Sequence, residues 1–220
     1  MGLLDEKVAI ITGAGGGLGR THALLLASEG AKIVVNDLGG SRDGTGDGLA
    51  MADQVVQEIT DAGGAAVANH DSVATVAGGE SICRTALDAF GRVDILINNA
   101  GILRDRTLVK TEEDDWDLVI AVHLKGTYCV TRPVFQHMKE RGGPGVIINT
   151  TSTSGLLGNF GQCNYGAAKA GIAGFTRTLA QEGAKYGIRA WGLAPVAFTR
   201  LTSDLMGGEA SAMADALDPA

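Results

Sequence analysis

The chain of 220 residues is 45% hydrophobic and 20% charged, with a formal net charge of −7. At this length roughly 70% of the extended surface can be buried, so residues 1–220 are expected to form one domain around one core. The acidic balance, without a Lys/Arg cluster, excludes nucleic acid and anionic membrane as partners. No apolar run reaches about 18 residues and no charged-then-apolar leader precedes Val8, so the sequence predicts a cytoplasmic protein with neither membrane span nor signal peptide. Cys83, Cys129 and Cys163 are odd in number and lack metal-ligand spacing, which suits a reducing compartment and no metal site.

In chain order, Lys7-Val-Ala-Ile-Ile11 is an apolar run of strand length that leads into Thr12-Gly13-Ala-Gly-Gly-Gly17-Leu18-Gly19 and an Ala/Leu-rich stretch to Ser28. Strand, glycine turn and helix in that order make a phosphate cradle. The glycines let the backbone turn tightly against a pyrophosphate, and the helix start offers unpaired N–H groups at the positive end of its dipole. A second strand, Ala31-Lys-Ile-Val-Val35, ends in Asn36-Asp37, where a carboxylate would meet the hydroxyls of an adenosine ribose. Gly39 to Gly48 read as a loop. Ala52, Val55, Val56 and Ile59, and then Ile82, Ala86, Ala89 and Phe90, form helical stripes packed on a sheet. Asp71 and Ser72 follow the third strand and are expected along the adenine.

Val93-Asp-Ile-Leu-Ile97 then runs as a buried strand into Asn98-Asn99-Ala100-Gly101, outside whose end a cofactor would lie. A long helix starts near Glu112 and is broken at Gly142-Gly-Pro-Gly145. Val146-Ile-Ile148 delivers Ser152, and Trp191-Gly-Leu-Ala194-Pro195 closes a strand where the nicotinamide end is expected. This alternation predicts an α/β fold, a single Rossmann-type doubly wound parallel sheet with helices on both faces and every strand-end motif along one edge.

Tyr165-Gly-Ala-Ala-Lys169, with Ser152 thirteen residues upstream, carries the chemistry. Positions i and i+4 share a helix face, so the ammonium can stand beside the phenol and stabilise its phenolate. Free tyrosine titrates near ~10, so acid/base work at neutral pH needs a shift of roughly 3 units, about 4 kcal/mol.

With these parts in this order and spacing, the sequence is identified as a member of the short-chain dehydrogenase/reductase family over its whole length, residues 1–220 forming one dinucleotide-binding and catalytic domain. The motifs are Thr12-Gly13-x3-Gly17-x-Gly19, Asn98-Asn99-Ala100-Gly101, Ser152 with Tyr165-x3-Lys169, and Ala194-Pro195. The resemblance implies that Tyr165 is the general acid/base, that Lys169 lowers its pKa and holds the nicotinamide ribose, and that Ser152 hydrogen-bonds the substrate oxygen. It also places Gly13, Gly17, Leu18, Gly19, Asp37, Asp71, Ser72, Asn98, Ala100, Gly101, Tyr165, Lys169, Pro195 and Thr199 on the cofactor, and implies a homodimer or homotetramer.

Asn36-Asp-Leu-Gly-Gly40, the loop Ser41 to Gly48, Asn69 to Val73, Gly101 to Arg106 and Gly158-Asn-Phe-Gly-Gln162 narrow the resemblance. They are similar to the dehydrogenase unit of peroxisomal multifunctional enzyme type 2 and its bacterial relatives. That implies oxidation of a 3-hydroxyacyl-CoA, some relatives acting on steroid alcohols or steroid-derived acyl-CoAs. An NADPH-dependent 3-oxoacyl carrier-protein reductase, a hydroxysteroid dehydrogenase and a silent dinucleotide sensor are the alternatives. The cofactor expected is NAD, because Asp37 would repel a 2′-phosphate and Gly16 stands where phosphate-selecting relatives carry a basic residue; Arg42 is the one residue that argues otherwise.

Two positions depart from the family pattern. His123-Leu-Lys-Gly126 stands where the family has Asn-x-x-Gly, whose asparagine holds a relay water, so His123 joins the candidate catalytic residues. Trp191 replaces an asparagine before the Ala-Pro turn. Residues 201–220 are expected to be a substrate lid; a further helix and a final strand are missing, so a longer natural protein is expected.

Overall fold

The structure, a computed structural model, describes residues 2–40, 43 and 50–195. Thr199, Arg42 and the expected lid at 201–220 lie outside the described residues. In chain order the elements are β1 Val8–Thr12, α1 Gly17–Ser28, β2 Lys32–Asn36, α2 Ala50–Asp61, β3 Ala65–Asn69, α3 Val76–Phe90, β4 Ile95–Asn98, α4 Glu113–Ile120, α5 Gly126–Arg141, β5 Gly145–Thr150, α6 Thr153–Leu157, α7 Cys163–Ala184 and β6 Ile188–Leu193.

The strands form one parallel sheet in the order β3-β2-β1-β4-β5-β6. Strand runs such as VAIIT in β1 are apolar at every position because both faces are covered. Alternate residues then serve opposite layers. Val8, Ile10, Val34, Leu96, Ile147 and Ile188 pack with Ile82 and Ala86 of α3, Val130 and Val134 of α5, and Leu179 of α7. Ala9, Ile11, Ile33, Val35 and Ile97 pack on the other side with Ala23 of α1 and Ala52, Val55 and Ile59 of α2. The predicted helix stripes therefore face the sheet, except that Ala89 is exposed.

The chain builds outward from β1 through β2 to β3, then returns to lay β4 on the other side of β1. That reversal leaves a crevice beyond the carboxyl ends of β1 and β4, where open α/β sheets bind ligands. At the opposite end Asp94, 5% exposed, ties the sheet together. Its carboxylate accepts from Val8 N at 3.0 Å, from Arg92 Nε and Nη2 at 2.9 and 2.7 Å, and from Arg141 Nη1 at 3.0 Å.

One expectation needs correction. The long helix from Glu112 to Gly142 is in fact α4 and α5 separated by a five-residue π turn, Ala121–Lys125. Gly126 N donates to Ala121 O, a wider span than an α-helical bond, and His123 sits inside the turn. Trp191 neither fills the core nor crowds the crevice. It is 59% exposed on β6, in register with Ile148.

Candidate active site

The glycine turn joins β1 to α1, with Gly13 at φ +63°, a conformation natural to glycine. A Cβ on Gly13 would lie 2.7 Å from Ala100 Cα, and one on Gly19 only 2.1 Å from Gly13 O. The backbones of β1, α1 and the segment after β4 thus meet with no room for side chains. Asn99 fastens them: its Nδ2 donates to Thr12 O and Gly13 O, both at 3.1 Å, while Thr12 Oγ1 accepts from Asn99 N and Ala100 N. Gly13, Asp37, Asp71, Ser72, Ala100 and Gly101 line one cleft, together with Leu38, Val73 and Ile102.

Asp37 braces this cleft as well as lining it. Oδ2 accepts from Gly15 N and Oδ1 from Gly39 N, each at 2.8 Å. A carboxylate has about four acceptor positions, so two are left for ribose hydroxyls. Behind it, Asn36 Nδ2 donates to Asn69 Oδ1 and Asp71 O, and Asn69 Nδ2 donates to Asp71 Oδ2, all at 2.9 Å. Asn98 does not reach the cleft lining. It is 5% exposed and links β4 to α5 and β5, donating to Thr131 Oγ1 at 2.9 Å and Asn149 Oδ1 at 2.8 Å.

The second half of the site is built from side chains. Ser152 caps α6, its Oγ accepting from Ser154 N at 3.1 Å, and its hydroxyl is close enough to Tyr165 on α7 to act on the phenol. Burial raises the Tyr165 pKa; the Ser152 bond lowers it and the charge of Asp105 raises it. Lys169, one turn along, is 3% exposed and donates to Thr150 O at 2.6 Å, its Nζ 5.6 Å from the Tyr165 ring centre. Burial pulls its ammonium down to about 7. Lys169 thus stands on the same helix face as Tyr165, as the i, i+4 spacing predicts, with its ammonium held by a backbone carbonyl.

His123 completes the cluster. Its ring meets the Tyr165 ring edge-on, with centres 5.2 Å apart at 87°. Nε2 lies 2.8 Å from Ile102 O and 3.1 Å from Ile102 N, while Nδ1 is buried without a partner. Burial above all, then the charge of Lys169, lowers its pKa to about 3, so the ring is neutral. Gly101 is tight against it: a Cβ there would stand 2.4 Å from Cε1. Pro195 is half-buried at the end of the described chain, after β6.

A hydroxyl, a phenol and an amine thus converge beside a glycine-walled cleft that holds a carboxylate. Residues 7–206 match the short chain dehydrogenase family. The chain belongs to that family, whose members use a nicotinamide dinucleotide. It is 58% identical over 203 residues to a short-chain type dehydrogenase/reductase of Mycobacterium tuberculosis, covering 92% of this chain and 71% of that protein. It is 39% identical over 223 residues to a hydroxyacyl-CoA dehydrogenase of the same organism, covering 98% and 69%. The solved full-length peroxisomal multifunctional enzyme type 2 of Drosophila melanogaster superposes with a TM-score of 0.72 at 46% identity, over 87% of this chain and 31% of that one. The chain spans between 22% and 45% of the length of its peroxisomal relatives.

Among the described residues no helix is long and apolar enough to cross a membrane, and no group of three or more His, Cys, Asp or Glu is placed to hold a metal. Sequence reasoning passed over Thr12 and Asn99 as the fasteners of the cradle, although both belong to motifs it quoted. It also passed over Asp105, whose spacing carries no signature.

Proposed function

We propose that the chain oxidises the 3-hydroxyl of a 3-hydroxyacyl thioester to the 3-oxo compound with NAD. The observation that carries this reading is the convergence of Ser152, Tyr165 and Lys169 beside the cleft that Asp37 lines. The cleft fits a dinucleotide: its glycine walls exclude side chains and leave the N–H groups of the α1 start for a pyrophosphate. Asp37 would accept from the ribose hydroxyls and repel a 2′-phosphate, which favours NAD over NADP. Asp71 and Ser72 would flank the adenine.

When bound, NAD supplies a hydride acceptor and a positive ring beside the site. Ser152 holds the substrate oxygen through its hydroxyl. The Tyr165 oxygen takes the hydroxyl proton as the carbinol carbon loses its hydride. Lys169 holds the nicotinamide ribose and adds positive charge near the phenol. His123, neutral and pinned at Ile102, positions the Tyr165 ring and does not carry the proton.

The test is NADH formation from short, long and steroid-bearing 3-hydroxyacyl-CoAs by the wild type and Tyr165→Phe. The variant should lose at least about 100-fold in kcat. Equal rates would overturn the assignment, and a higher kcat/KM with NADP would overturn the cofactor choice.

A further inference from the structure

One half-buried arginine touches both halves of the site and has no part in the reaction proposed above. Arg104 closely follows Gly101 and Ile102, which line the cleft together with Gly39 and Gly40. Its Nε donates to Asp43 O at 3.1 Å, three residues past Gly40, and its Nη1 donates to Asp115 Oδ1 on α4 at 2.8 Å. The main chain of the same residue faces the helix of the phenol. Arg104 O accepts from Asn164 Nδ2 at 3.2 Å, and Asn164 Oδ1 accepts from Tyr165 N at 2.7 Å.

The partners of Arg104 are themselves held. Asn164 is buried, and its Nδ2 also donates to Asp115 O at 3.4 Å, so one amide ties the start of α7 to the loop after β4 and to α4. Asp115, also buried, is gripped a second time by Arg106 Nε at 2.9 Å. Ile102 packs with Val119 and Ala168, the cluster on which Tyr165 rests. On the cofactor side, Gly39 N donates to Asp37 Oδ1 at 2.8 Å, so Asp43 follows the turn that the ribose acid braces. A guanidinium carries its donors in a rigid planar fork, so bonds from Nε and Nη1 fix where Asp43 stands relative to α4.

We propose that Arg104 is a positioning residue shared by the two halves of the site. Anchored at Asp43 and Asp115, its guanidinium holds the backbone after β2 against the dinucleotide and keeps its own carbonyl on Asn164, behind Tyr165. Cofactor affinity and turnover thus depend on one side chain. The inference rests on the dehydrogenase reading.

The experiment measures three quantities: the NADH dissociation constant by fluorescence titration, kcat on a 3-hydroxyacyl-CoA at saturating NAD, and Tm. It uses the wild type, Arg104→Met, Arg104→Lys, Asn164→Ala and the double variant Arg104→Met with Asn164→Ala. Arg104→Met should raise the NADH constant about fivefold and lower kcat about tenfold, as expected for lost charge-assisted hydrogen bonds. Asn164→Ala cuts only the second link, so kcat should fall about tenfold with NADH binding within about twofold of the wild type. The double variant should show the kcat of the single variants and not the product of their losses, because both act through one contact. Arg104→Lys keeps a charge beside Asp115 without the fork, so it should hold the wild-type Tm and still weaken NADH binding; it decides the matter if Arg104→Met does not fold. A residue that merely supports the fold would lower Tm and leave the NADH constant of the folded protein unchanged. That result, or kcat losses that multiply, overturns the inference alone when Tyr165→Phe is inactive. A wild type that binds no NADH, or leaves every 3-hydroxyacyl-CoA unoxidised, overturns both readings.

Discussion

The Asp94 cluster and the Tyr165 cluster occupy opposite ends of one sheet and treat buried polar atoms in opposite ways. Asp94 receives four hydrogen bonds from three parts of the chain. Burial pushes its carboxyl up, but Arg92, Val8 N–H and Arg141 together hold it below the usual carboxylate range. Around Tyr165, by contrast, Asn98 Oδ1, Asp105 Oδ1, His123 Nδ1 and Thr150 Oγ1 are buried without partners, four of the six such atoms among the described residues. Unsatisfied polar groups cost stability. At the end where strands β1, β4 and β5 begin, Arg141 Nε is the one such atom among the described residues, beside a carboxylate that is itself fully bonded.

The contrast can be broken most directly at Asp94. Asp94→Asn should cost about 3 kcal/mol, because it leaves Arg141 and part of Arg92 without their counter-charge; the exposed side of Arg92 keeps the figure from being larger. Thermal unfolding would show the loss, with dinucleotide binding intact at low temperature. Since the folded pKa is depressed, the stabilisation is complete above about pH 4 and is lost as pH falls through the folded value. Acid unfolding of the variant should accordingly be shallower than that of the wild type.

At Asp37, substitution by Asn should lower kcat/KM for NAD about tenfold and narrow the gap to NADP, because on the proposed reading the charge that holds the Gly15 and Gly39 turn would also hold the ribose. Steady-state kinetics with both cofactors measures this; an unchanged ratio would separate the brace from the selector. A smaller effect is expected at His123, where Asn can still bond Ile102. Activity should stay within about fivefold of the wild type, and neither protein should show a limb near pH 6.5 that disappears with the substitution, since the buried imidazole is already neutral.

A further effect, read as a dependence of stability on pH, concerns Lys169. Its folded pKa of about 7 lies below the unfolded value near ~10.4, so between them the unfolded chain holds a proton that the folded chain has released. Stability should therefore gain from this group as pH rises through that window. Lys169→Met should remove the gain, as read from Tm against pH.

What the sequence made legible is whatever depends on local spacing. The β1 run, the glycine turn and Tyr165-x3-Lys169 each lie within one short segment, and the parallel sheet with helices on both faces follows from alternating strands and helices. The unread parts are those assembled from distant segments. Asp94 and Arg141 are 47 residues apart, Gln162 and Asp105 57 apart, and Gly15 and Asp37 22 apart. Hydrophobic periodicity reports which face is buried and says nothing of which carboxylate meets which N–H. Lys169 likewise finds its acceptor, Thr150 O, nineteen residues earlier, a pairing that the i, i+4 spacing with Tyr165 does not report.

The π turn at Ala121–Lys125 acts as a phase shifter in an otherwise continuous rod. One extra residue in a helix rotates everything beyond it by about 100° relative to a regular α-helix. The face that α4 turns toward α7 and the face that α5 turns toward α3 are thus decoupled, and His123 marks the point of rotation. Deleting a single residue between Ala121 and Lys125 would regularise the helix and leave Val130 and Val134 in their layer, whereas deleting one from the regular turns of α5 before Val130 would swing both out of it. The first deletion should disturb the site through His123 and spare the core, and the second should disrupt the core, as activity and thermal unfolding would separate.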